Sequence, residues 1–187
     1  MENEVDHRNL SIATVVASTL SIFGGILILY GVTVQTNGCR CKGIRKTREN
    51  PAITTLIISL TIANLLQSFS FLGGACMTLQ TSSDWMYTAR NWCLAQGFML
   101  QVFAFATPMW VMAISVTLNR LVVRARKGGL GYVVGMSVLC WGLPLILGVI
   151  PFTFDAGKHD GWAGYGPTGA WCWIHSANFN ASTELVN

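Results

Sequence analysis

Four long stretches of this chain carry no charged side chain: from Arg8 to Arg40, Glu49 to Asp84, Arg90 to Arg120, and Lys127 to Asp155. A helix crosses a ~30 Å hydrocarbon core with about 20 apolar residues, and every one of these intervals is longer. Each interval therefore holds one membrane span. Composition agrees. The 187 residues are 52% hydrophobic and 11% charged, against about 25% charged in soluble domains, and mean hydropathy is +0.48. The expected fold is an all-α membrane protein. Its single transmembrane domain, 1–187, has spans at about 10–34, 52–79, 93–123 and 130–151 and an exterior loop over 152–187. The first span is no cleavable signal, because its flank is acidic (Glu2, Glu4, Asp6) and its run exceeds the ~7–15 apolar residues of a signal core.

Charge distribution orients the spans. Of twelve Lys and Arg, five fall within Arg40–Arg48 and four within Arg120–Lys127. Short basic loops stay cytoplasmic, which puts both termini outside and predicts a multi-pass protein of the plasma membrane. The net charge of +4 therefore reflects topology, and no nucleic-acid partner is read from it. The sequons at Asn9 and Asn180 fall on exterior segments and are candidate glycosylation sites.

Along the chain, a polar exterior tail over residues 1–9 precedes the first helix, where Gly24, Gly25 and Gly31 favour close helix packing. The first interior loop holds Cys39 and Cys41 among basic residues. They are candidate palmitoylation sites, or two free thiols. In the second helix Asn64 lies mid-span, and an amide in lipid should face another helix. Gly73-Gly74 invites a bend near the outer end. Trp85, Tyr87 and Trp92 suit the aromatic belt at the interface.

The third helix, Cys93 to about Val123, is roughly 45 Å long at ~1.5 Å per residue, so it must tilt or project into the cytosol. Gln96, Leu100, Phe103, Thr107, Trp110 and Ile114 recur at spacings of three and four and form one stripe, read either as bundle packing or as a ligand-facing wall. Pro108 can kink this helix. Thr117, Arg120, Leu121 and Arg124 share a face at its basic end. The next loop, Arg126-Lys127-Gly128-Gly129, is so short that the third and fourth helices must be neighbours. The fourth carries Trp141, Pro144 and Pro151, and a Gly-rich exterior stretch follows.

Cys93 and Cys172 both fall outside, where a disulfide is permitted; Cys76 is the rival partner for Cys172. Cys140 reads as a small apolar residue in mid-span. No catalytic set, phosphate loop or metal-ligand spacing is present, so neither enzyme activity nor a metal or other cofactor is expected. No charge lies within a span, which disfavours a proton-coupled transporter.

This order of features resembles the first half of a seven-helix G protein-coupled receptor. The chain is read as ending before a fifth helix. Trp92-Cys93-Leu94-Ala95-Gln96-Gly97-Phe98, with Gln101 and Trp110 and the block Gly169-Ala170-Trp171-Cys172-Trp173-Ile174, looks most similar to the cyclic-AMP-receptor-like group of that superfamily. The resemblance implies a Cys93–Cys172 bridge and a small extracellular ligand held at a mouth involving Gln96, Leu100, Phe103, Thr107, Trp171 and Trp173. It also implies a heterotrimeric G protein meeting Arg120, Leu121, Arg124, Arg126 and Lys127. Asn119-Arg120-Leu121 stands where rhodopsin-like receptors carry Asp-Arg-Tyr, so an Asp–Arg lock is not available. Polar inner faces favour association into oligomers. The competing readings are a free-standing four-span interaction or scaffold protein and, more distantly, a channel or transporter subunit.

Overall fold

A computed structural model of the protein describes residues 2–38, 51–80, 90–124, 129–154, 164–168 and 171–174. They form four helices, α1 (Glu2–Gly38), α2 (Pro51–Gln80), α3 (Arg90–Arg124) and α4 (Leu130–Phe154), and a two-stranded hairpin, β1 (Tyr165–Pro167) and β2 (Cys172–Ile174). All four helices are long and apolar enough to cross a membrane.

Their limits differ from the expected ones in informative ways. The polar tail before residue 10 is helical from Glu2, where acidic residues suit the positive end of the helix dipole. α2 runs through Gly73-Gly74 as one helix, and no bend is needed to explain the pair. A Cβ at Gly73 would sit 2.9 Å from the Trp92 ring, and one at Gly74 would collide with Gln96. These glycines let α3 approach α2 closely. Pro108, Pro144 and Pro151 lie within continuous helices.

The core lies where α2, α3 and α4 meet. Leu56 and Ala63 from α2, Ala106, Trp110 and Ala113 from α3, and Cys140 from α4 are buried together. The alanines keep the backbones close, and Trp110 fills the remaining volume. Its ring meets Trp141 edge-on at 5.6 Å between centroids, and Phe103 meets Trp141 the same way at 6.3 Å. α1 packs on α2, where Gly25 receives Leu65. Its other side exposes Leu20, Phe23 and Tyr30, as a lipid-facing surface should. α3 touches α2, α4 and both strands, so the column with a cysteine at one end and an arginine at the other is also the centre of the bundle.

Candidate functional site

The hairpin sits on the Cys93 end of the bundle. Tyr165 pairs with Ile174, Gly166 with Trp173 and Pro167 with Cys172. The turn closes on Thr168, whose backbone N–H and Oγ1 both donate to the Trp171 carbonyl, at 3.1 and 3.0 Å. Cys172 is disulfide-bonded to Cys93, with 5.4 Å between Cα atoms and a sequence separation of 79. Closing a loop of that length stabilises the fold by on the order of 4 kcal/mol through lost freedom of the unfolded chain. The rival, Cys76, carries a free thiol.

Tyr165 supplies the second fastening. It is fully buried, lies against Phe152 at 5.1 Å, and donates its hydroxyl to the Gly148 carbonyl at 2.9 Å. A Cβ at Gly97 would sit 2.8 Å from its Cδ1, so glycine at that turn of α3 makes the seat. Burial pushes the phenol up from its ordinary value of 10 to about 12, because the anion would lose its water. At Gly164, with φ +73°, a Cβ would collide with the Pro151 carbonyl, and the backbone geometry is open chiefly to glycine. The third fastening is Trp171, edge-on to Phe71 of α2 at 5.7 Å. The hairpin is thereby tied to α3, α4 and α2 by three separate contacts.

Beneath it, Gln96 is buried and donates its Nε2 to the Ser70 carbonyl at 3.0 Å. Its Oε1, and that of the buried Gln101, have no hydrogen-bond partner. Leu100 is fully buried, while Phe103, Trp171 and Trp173 are half-buried. Deeper in the bundle the Thr107 hydroxyl lies 3.3 Å from Asn64 Oδ1 and 3.2 Å from Gln67 Oε1. Its single proton serves one amide at a time. Asn64 thus faces α3. Ser68 donates to Ser21 of α1 at 2.9 Å. An open cavity of about 270 Å³ lies between α1 and α2, lined by Ser18, Ser21, Asn64, Gln67, Ser68 and Phe71 among others.

At the other end, Arg120 is half-buried with its guanidinium carbon 4.4 Å from the centre of the Tyr132 ring. Leu121 is half-buried beside it, and Arg124 closes α3. Arg126, Lys127, Cys39, Cys41 and Asn180 lie outside the described residues. Asn9 is exposed on α1. Among the described residues no cluster of His, Cys, Asp or Glu could hold a metal.

The residues that sequence reasoning passed over are Tyr165, Tyr132 and Gln67. Tyr165 lies in the Gly-rich exterior stretch, where no pattern marks it, and the roles of Tyr132 and Gln67 require two helices placed side by side.

Four membrane helices, with the head of the third bridged to the loop after the fourth, are those of a multi-pass protein of the G protein-coupled receptor class. More particularly, residues 7–185 match the Git3 family, described as the G protein-coupled glucose receptor regulating Gpa2, and the chain belongs to that family. It is also similar to the Ascaroside receptor GPR2 of Arthrobotrys oligospora, at 28% identity over 121 residues. That alignment takes in 65% of this chain and 29% of the relative's length. The subgroup corrects the sequence expectation, since the family matched is Git3 and not the cyclic-AMP-receptor-like group. The block that suggested the latter is occupied with structure: Cys172 forms the bridge and Trp171 packs on Phe71.

Proposed function

We propose that the chain forms the ligand-receiving part of a plasma-membrane receptor that senses glucose outside the cell and signals to a G protein of the kind its family is described as regulating. The observation that carries this reading is the family match over residues 7–185. The architecture supports it: an oxidised, capped end and a basic end lie on opposite ends of one helix, α3. Positive charge favours the cytoplasmic side and disulfides favour the exterior; both put the Cys93 end outside.

Gln96, Leu100, Phe103, Thr107, Trp171 and Trp173 form the proposed mouth and its floor. The unpaired Oε1 atoms of Gln96 and Gln101 are acceptors of the kind a sugar hydroxyl can satisfy. Arg120, Leu121 and Arg124, with Arg126 and Lys127, form the proposed G protein face. The similarity to an ascaroside receptor makes an ascaroside the second ligand to test. In membranes holding the protein and its G protein, glucose should raise guanine-nucleotide exchange, and Arg120→Ala should abolish the rise. Exchange indifferent to glucose but driven by an ascaroside would reassign the ligand. Exchange indifferent to both would remove the receptor reading.

A further inference from the structure

The basic end of α3 holds an arrangement that the receptor reading does not call for. The first turn of α4 is set by the Gly129 carbonyl, which accepts the N–H groups of Tyr132 at 3.1 Å and Val133 at 3.3 Å. That turn points Tyr132 across to α3. There the Tyr132 hydroxyl lies 3.0 Å from Thr117 Oγ1, and Thr117 Oγ1 in turn donates to the Ala113 carbonyl at 2.7 Å. A threonine hydroxyl has one proton, so with that proton on Ala113 the phenol must be the donor to Thr117. Thr117 is buried, 2% exposed, which locks the direction of the chain and the plane of the ring. Over the face of that ring lies the Arg120 guanidinium, at 4.4 Å.

The charge balance makes this contact matter. The acids of the described residues, Glu2, Glu4 and Asp6, are at the start of α1, far along the sequence from α3. Asn119 precedes Arg120 where a carboxylate would otherwise pair with it. Among the described residues the Tyr132 ring face is the electrostatic partner of Arg120, and such contacts strengthen as they lose water.

We propose that Thr117, Tyr132 and Arg120 form an aromatic clasp that folds the Arg120 side chain onto α4 and sets whether its guanidinium is available at that end of the bundle. The hydrogen bond holds the ring, and the ring holds the cation. Opening the clasp frees Arg120 without unfolding either helix. In its consequence for coupling the proposal rests on the receptor reading, but the clasp itself is tested without it.

The test is the rate at which phenylglyoxal modifies Arg120 in membranes holding the full chain, followed by mass spectrometry. Arg8, exposed at the far end of α1, serves as the internal reference. Tyr132→Leu removes the ring and should raise the Arg120 rate by about tenfold. Tyr132→Phe keeps the ring but frees it from Thr117, and Thr117→Val removes the acceptor. Each should raise the rate about threefold, and together they should give no more than either alone, because they cut the same bond. The two conservative changes decide the matter if the leucine variant fails to form its Cys93–Cys172 bridge. An Arg120 rate unchanged in the bridged variants overturns the clasp. Nucleotide exchange measured on the same membranes separates the two claims: faster modification with no change in exchange upholds the clasp and counts against the receptor reading.

Discussion

The two ends of α3 are held in opposite ways. At the Cys93 end the hairpin is fastened by a covalent bond to α3, a buried tyrosine on α4 and a tryptophan against α2. At the Arg120 end the described contact is a stacked cation and one phenolic hydrogen bond. The first arrangement resists any single loss, whereas the second releases with one. A molecule that keeps one end rigid and the other releasable can hold a shaped surface on one side of the membrane while changing what it presents on the other.

The contrast can be broken from its strong side first. Cys93→Ala should cost on the order of 4 kcal/mol, and a thermal shift in detergent checks it: reductant should lower the midpoint of the parent chain and leave the variant unmoved. Tyr165→Phe removes the phenol that donates to the Gly148 carbonyl, a loss of about 1 kcal/mol, readable in the same melt. The titration of Tyr165 sharpens this. Its phenol is raised from 10 to about 12 in the folded chain, so the stabilisation is fully present below pH 10 and is lost as pH rises through 12. Thermal stability of the parent should therefore fall across that window, and Tyr165→Phe should fall less. Thr107→Val should have the smallest effect, about 0.6 kcal/mol, the average for a hydrogen bond between membrane helices. Loss of stability comparable to that of Cys93→Ala would mean that the mid-bundle amides, not the hairpin, hold the helices together.

The four spans were legible because charge is excluded from lipid, and the gaps in the sequence mark them without reference to tertiary structure. Their ends were less so. Glu2 to Asn9 continue α1 because polar residues can be helical beyond the membrane, and hydropathy does not report that. Asn64 was expected to face a helix, and it does, since an amide in lipid has few alternatives. The hairpin was not foreseen: three-residue strands containing Gly166 and Pro167 carry no alternation to read. Tyr165 and Tyr132 were equally hidden. Their importance comes from a glycine seat on α3 in one case and a threonine on the same helix in the other, and neither neighbour is close in sequence. The Trp171–Ile174 block pointed to the receptor class, while the family that the chain matches is Git3 and not the cyclic-AMP-receptor-like group.

Amide hydrogen exchange of the chain in lipid nanodiscs, with and without glucose, compares the two ends of α3 in one experiment. Without ligand the hairpin peptides 165–174 should exchange more slowly than the first turn of α4 around Tyr132. Glucose should slow the hairpin further and speed that turn. A hairpin that exchanges faster than the Tyr132 turn, or a ligand effect confined to neither end, would contradict this contrast.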